Sequence, residues 1–305
     1  MQKKELPVLN EKYMLPTGKH SISYSEAYDW LQCSFRHKLK HIDKISLDKP
    51  SIHTEFGSSI HDTLEEFIMT RHSMTEEVVE KTIKDFSERM LKLKEIDPSL
   101  YSEKEIEEFS EAIGPILKQV PGWLDETFPG WLPVATEWNL FEEVQNQKEK
   151  YFKGFIDCII KVPVKQRKAI NKNSPMRLSE LTGEDHSNDE YQTIILDWKT
   201  TSFGWTPDKK RDFQKQLQLV LYKHFWCKLN NLDLTQVKTG FVLLKRTPKK
   251  DGSRCEFVPV SVGPKTEEKA LDIVQNMINQ LQQRRFVKNR NSCMYCVYSG
   301  TKYCI

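Results

Sequence analysis

Long apolar runs are missing from this chain, and none approaches the length of a membrane span, so the expected setting is water with no membrane contact. The leading residues Met1-Gln2-Lys3-Lys4-Glu5-Leu6-Pro7 lack the apolar stretch of a secretory signal. The expected compartment is therefore the cytoplasm, where thiols stay reduced. Strong net charge is missing too. At +3 over 305 residues, overall charge cannot diagnose a nucleic-acid binder, and only local clusters of basic groups can carry that reading. Internal repeats and low-complexity tracts are absent, which removes solenoids and disordered arrays from consideration. The seven cysteines are an odd number, which argues against a disulfide framework.

What is present is the composition of a globular chain, 29% charged and 38% hydrophobic, long enough to bury a substantial core. Basic groups gather at Lys209-Lys210-Arg211, from Lys245-Arg246 through Lys249-Lys250 to Arg254, and from Arg284-Arg285 through Lys288 to Arg290. Each could track a phosphate backbone or be a solvated face.

The N-terminal part reads as helical. A first helix is expected after Ser21, with Ser23 and Glu26 as a capping box, running through Trp30, Leu31 and Phe35 toward Leu39 with Cys33 inside it. A second is expected from about Ser58 to His72 on the stripe Ile60, Leu64, Phe67 and Ile68. Two charged amphipathic patterns follow at 75–95 and 101–119, and Pro121, Gly122, Pro129 and Gly130 then break the chain. Strands are expected at Val134 to Glu143, Tyr151 to Val162 and Gln192 to Thr200, with a polar excursion at about 166–190. Helix returns from about Lys209 to Leu229. A hairpin then places 240–244 and 257–260 around Lys250-Asp251-Gly252, and Thr266 to Arg285 forms a last helix. The pattern is α/β, with helices and strands interleaved around one sheet.

The chemistry gathers at Ile194-Ile195-Leu196-Asp197-Trp198-Lys199. On a strand, residues two apart share a face with Cβ atoms roughly 6–7 Å apart, so Asp197 can hold a metal while Lys199 reaches the same reacting group. Asp157 stands in the otherwise apolar strand 151–160, where an unpaired charge is costly and a cation or a strong hydrogen-bond partner is expected; Gly154 in the same strand permits close backbone approach. His61 is a candidate third ligand, and Glu65, one turn on, can accept from that imidazole or contribute to a second metal. Gln218 and Tyr222 repeat the spacing of four, offering an amide and a phenol to one surface.

In this order, Gly57-x3-His61, Glu137, Gly154-x2-Asp157, Asp197-x-Lys199 and Gln218-x3-Tyr222 resemble the RecB-like branch of the PD-(D/E)xK nuclease superfamily. The resemblance spans about Ser21 to Cys304. It implies a single restriction-endonuclease-like domain over 1–305, a central mixed sheet flanked by helices, with a helical elaboration at about 73–130 and the excursion at about 166–190. It makes His61, Asp157 and Asp197 metal ligands, with the Trp198 carbonyl as a fourth, and Lys199 the catalytic lysine. Gln218 and Tyr222 take the place of residues that position DNA or that lysine, and Glu137 matches an acidic strand residue without a firm role. The implied activity is a Mg²⁺- or Mn²⁺-dependent deoxyribonuclease. An exonuclease on single-stranded or resected ends is expected, working in recombination, repair or replication beside a helicase or recombination partner. Two alternatives share these motifs: a DNA-trimming nuclease of the CRISPR-adaptation type, and a DNA-end-binding module without turnover.

Cys293-x2-Cys296-x7-Cys304 places three thiols within the last thirteen residues at metal-type spacing, and a fourth ligand must come from elsewhere. The resemblance supplies Cys33. Relatives of the AddB and CRISPR-adaptation type join one N-terminal and three C-terminal cysteines around a [4Fe–4S] cluster, here a staple between Cys33 and 293–304. Structural Zn²⁺ on the same four thiolates is the alternative. The chain departs from that pattern in two places: Ser34 stands where proline is frequent, and the last spacing is seven residues where five is common. Cys158, Cys227 and Cys255 read as ordinary buried thiols.

Overall fold

The computed structural model describes residues 9–164 and 191–305; the excursion expected at about 166–190 lies outside the described residues. In chain order the elements are β1 (Ser21–Ser23), α1 (Tyr24–Gln32), α2 (Ser34–His37), α3 (Ile52–Thr70), α4 (Glu76–Ile96), α5 (Glu103–Thr127), β2 (Leu132–Glu143) and β3 (Tyr151–Pro163). After these come β4 (Tyr191–Thr201), α6 (Pro207–Arg211), α7 (Phe213–Asn230), β5 (Val237–Lys245), β6 (Cys255–Val260) and α8 (Pro264–Gln282).

The strands form one mixed sheet of six in which β3 is the hub. β2 runs antiparallel along its whole length on one side. On the other side β4 pairs antiparallel with 158–163, and the short β1 pairs parallel with 151–153. β5 joins β4 in parallel and β6 closes the edge antiparallel. The expected central mixed sheet flanked by helices is thus present. Both faces are covered. Ile156, Ile159, Ile195 and Phe241 point to a core shared with Ala27, Leu221, Phe225 and Val274 of α1, α7 and α8. Cys158, Ile160, Leu196 and Val242 point the other way, to Ile60, Phe86, Ile113 and Leu117 of α3, α4 and α5. This alternation explains why β3 and β4 read as nearly continuous apolar runs. Cys158, Cys227 and Cys255 are buried, as expected.

The structure corrects the sequence reading at four places. The first helix does not pass through Cys33. The backbone turns extended there (φ −167°, ψ 114°), and Ser34 and Phe35 bond to Val287 of the C-terminal segment. The second helix begins earlier, at Ile52, because the Ser51 side chain accepts from the Thr54 N–H; it stops at Arg71 in the left-handed region. α5 does not break at Pro121 and Gly122 but continues to Thr127 with Pro115 and Pro121 inside. An interior proline costs about 3 kcal/mol or more. Burial of Ile116, Leu117, Val120 and Leu124 on one stripe offsets that cost. The expected helix from Lys209 is two helices, divided at Asp212, whose extended backbone and carboxylate cap α7 at Gln214. Among the described residues, no helix is long and apolar enough to cross a membrane.

Candidate active site

The site lies where β3 changes partners. The antiparallel register of β3 and β4 ends at Cys158 with Leu196, and beyond that pair the strands part before β1 takes over the edge of β3. Asp157 and Asp197 are the next residue on each strand, so the register brings two carboxylates to the mouth of the gap. Asp157 Oδ2 accepts from the Trp198 N–H at 2.9 Å, using a strand donor that the parted ladder leaves free. Trp198 itself is buried and fixes the end of β4.

Asp197 is completely buried, and among the described residues neither of its carboxylate oxygens has a partner apart from the Lys199 ammonium. Among the described residues its close counter-charge is the Lys199 ammonium, 2.6 Å from Oδ2. Burial works against the charge on Lys199, but Asp197 and Asp157 outweigh it and hold the amine above its usual range. Burial, and then the charge of Asp197, push the Asp157 carboxyl well above the ordinary carboxylate range. A buried carboxylate pair with one shared ammonium is short of positive charge.

α3 delivers the imidazole. Gly57 lets this helix press on the end of β4, since a Cβ there would stand 3.3 Å from Thr200 Oγ1. One turn later His61 sits with Nδ1 3.6 Å from Asp157 Oδ2, and it hydrogen-bonds to the Trp198 carbonyl. Burial pushes its pKa down, which favours the neutral ring a metal requires. Glu65 is not the partner of this ring. Its carboxyl is raised by burial and by Asp62, and it faces Glu137.

Glu137 is the residue that sequence reasoning undervalued. Neighbouring pairs Thr136 with Cys158 and Trp138 with Ile156 set it across β2 and β3 from Asp157. Its φ of +43° lies in the left-handed region although it is inside a strand, a conformation that costs on the order of 1–3 kcal/mol for a residue with a Cβ. The result is a trio: His61, Glu137 and Asp157 each place a ligand atom within 4.8 Å of the others. Asp197 lies beside the trio, against Lys199. These donors, one imidazole and hard carboxylate oxygens with a second buried carboxylate adjacent, fit a divalent cation such as Mg²⁺ or Mn²⁺.

The opposite wall comes from α7 and α1. A Cβ at Gly154 would meet Tyr222 Cε1 at 2.5 Å, so the glycine admits the tyrosine ring, not the backbone approach expected from sequence. Gln218 Nε2 donates to the Tyr222 hydroxyl at 3.2 Å, and burial raises that phenol well above its usual range. Tyr24 was missed by sequence reasoning. Its hydroxyl donates to the Gln214 carbonyl at 3.1 Å, and its pKa is raised by burial, then by Tyr28 and by Asp197, which places it on the site's rim. The available signal was the pair Tyr24 and Tyr28, one turn apart at the start of a capped helix.

The basic clusters divide in their roles. Lys245 is buried against Glu256, which also takes Lys249 and Lys210, so much of the second cluster is internal pairing. Lys209 lies over the Trp205 ring at 5.0 Å, and Phe203, a few residues past Lys199, is 77% exposed.

Away from this gap, Cys33, Cys293, Cys296 and Cys304 line a single pocket together. Asn289 N–H points to Cys33 Sγ at 3.3 Å, Asn289 Nδ2 and Ser292 Oγ both donate to the Gln32 carbonyl, and Val287 N–H donates to Ser34 Oγ at 2.7 Å. Ser34 thus ties the N-terminal part of the chain to the C-terminal segment.

The sequence profile of the PD-(D/E)XK nuclease superfamily matches residues 21–170 and 184–301. No curated protein matches the chain. The profile covers all of the elements that build the gap between β3 and β4, and the chain belongs to the PD-(D/E)XK nuclease superfamily.

Proposed function

We propose that the protein is a divalent-metal-dependent deoxyribonuclease acting on single-stranded or resected DNA ends, as exonucleases of recombination, repair or replication do. The observation that carries the reading is the buried Asp197 carboxylate, ion-paired with Lys199, and the His61, Glu137 and Asp157 trio adjacent. His61, Asp157 and Asp197 would hold the cation with the Trp198 carbonyl, Glu137 would join them, and Glu65 would contribute to a second ion. Bound Mg²⁺ or Mn²⁺ would supply Lewis acidity and shield the charge that builds on the phosphate. The Lys199 ammonium orients the attacking water and stabilises the developing negative charge as the water oxygen bonds to phosphorus and the ester oxygen departs. Gln218 steadies Tyr222, and Tyr222, packed on Gly154, keeps β3 at the distance from α7 that the site needs.

The single-stranded preference draws support from Phe203, Trp205 and Lys209, an aromatic and basic rim suited to unstacked bases. For the four-cysteine pocket the proposal is a [4Fe–4S] cluster. What supports the reading is that the four cysteines, one from the N-terminal part and three from the C-terminal part, line one pocket. The test is digestion of linear single strands, resected duplexes and closed single-stranded circles with Mn²⁺. The expected result is loss of the linear substrates with the circles intact; cutting of circles would make the enzyme an endonuclease, and binding without cutting would make it an end-binding module.

A further inference from the structure

On the far side of α1 from the β3–β4 gap, a second group of donors gathers that the nuclease chemistry does not use. Glu26, His37 and His41 each place a ligand atom within 4.8 Å of the others. Glu26 is on α1, His37 ends α2, and His41 lies in the single π-helical turn Lys38–Ile42 that follows. The spacing of four between the histidines brings their rings face to face, with centroids 4.7 Å apart. His37 is completely buried, and among the described residues neither of its ring nitrogens has a hydrogen-bond partner. An unpaired polar ring in that position is costly unless something else satisfies it.

The surroundings orient the ligands. Asp29 Oδ2 lies 2.9 Å from His41 Nε2, which fixes the proton there and leaves Nδ1 as the lone pair, 3.6 Å from Glu26 Oε1. A carboxylate holding the outer nitrogen of a histidine is the usual support of a metal-binding imidazole. Arg36 and Lys40 neutralise Asp29. Glu26 Oε2 is taken by the Ser23 N–H in the capping box, which leaves Oε1 for a cation. The Lys19 ammonium stands 3.3 Å from that oxygen on a side chain 49% exposed, so it is free to swing into water when a metal takes its place. Lys44 is the remaining basic group near His37.

We propose that Glu26, His37 and His41 form a second divalent-cation site, of the Zn²⁺ class, that locks the corner between α1 and α2. Two imidazoles and one carboxylate are a Zn²⁺ donor set, and the burial of Glu26 and His37, with the His41 side chain only 15% exposed, points to a structural role. The corner it locks carries Cys33, whose carbonyl accepts from the His37 N–H. The site stands apart from the catalytic reading and does not depend on it.

The test uses the full-length chain stripped with chelator and titrated with Zn²⁺ and, separately, with Co²⁺. Wild type is compared with Glu26→Gln, His37→Gln, Cys293→Ser and His61→Ala. Glutamine at 26 keeps the capping box, so that variant decides the matter if His37→Gln fails to fold. The expected result is that Glu26→Gln and His37→Gln each bind one equivalent of Zn²⁺ fewer than wild type and lose Co²⁺ ligand-field bands that carry no thiolate charge transfer. Whatever metal Cys293→Ser or His61→Ala loses at its own site, combining either change with Glu26→Gln removes one further equivalent. The same Zn²⁺ stoichiometry and the same Co²⁺ bands in wild type, Glu26→Gln and His37→Gln would overturn the proposal.

Discussion

The gap between β3 and β4 and the cysteine pocket at the chain ends are both places where the chain collects ligands, but they are held in opposite ways. The gap is built by sheet register and by helices with large buried faces, and its side chains meet before any cation arrives. The pocket is built from a short 3-10 turn and backbone hydrogen bonds, and after Leu281 the only buried side chain is Tyr298. A site that the core assembles can concentrate charge that it would rather lose. On the proposed reading, the pocket, made of a half-buried tail, depends on what it binds to stay assembled.

The largest expected effect belongs to the gap. Lys199→Ala should lower metal-dependent cleavage by on the order of 10³-fold or more, read as initial rate on end-labelled DNA, because the ammonium acts on the charge formed in the transition state. The next effect separates the two regions. Cys293→Ser should lower stability by about 2–5 kcal/mol, the order expected for loss of a staple between chain ends, measured by thermal or denaturant unfolding of anaerobic protein. Chelation of Mg²⁺ from wild type should stop cleavage while moving the same transition far less. If instead the cysteine change leaves the transition in place, the tail holds itself and the contrast fails.

Within the gap, Gly154→Ala forces a methyl group against the Tyr222 ring. A cost of about 1–3 kcal/mol is expected from overpacking, with cleavage falling roughly tenfold as the ring is displaced. The smallest effect carries the opposite sign. Glu137→Gly should raise stability by a few tenths to about 1 kcal/mol by removing the side chain from a left-handed conformation, while metal affinity measured by Mn²⁺ titration falls. A variant that gains stability and keeps its affinity would remove Glu137 from the site.

How far the sequence could be read follows from the range of the forces involved. The strands of β3 and β4 were legible because burial on both faces writes a continuous apolar run, and a carboxylate within such a run stands out. Spacing alone set Lys199 beside Asp197 and Tyr222 above Gln218, and the structure agrees on both pairs. Glu137 was harder. Its partnership with Asp157 depends on cross-strand register, and its positive φ has no glycine to announce it. The break at Cys33 was hidden for a similar reason, since Ser34 and Phe35 answer to Val287 at the other end of the chain. Pro121 misled in the other direction, because its breaking tendency is local while the burial that overrides it is not. Tyr24 reaches Asp197 only through the packing of α1 on α7, which no local pattern records.

The most direct test of the central claim is to follow DNA binding and cleavage in the same anaerobic sample, for wild type and Lys199→Ala, with Mn²⁺ present. Wild type should bind and cut, and the variant should bind with similar affinity and leave the DNA whole. Equal cleavage by both proteins, or binding without cleavage by both, would contradict the assignment of the β3–β4 gap as a nuclease centre.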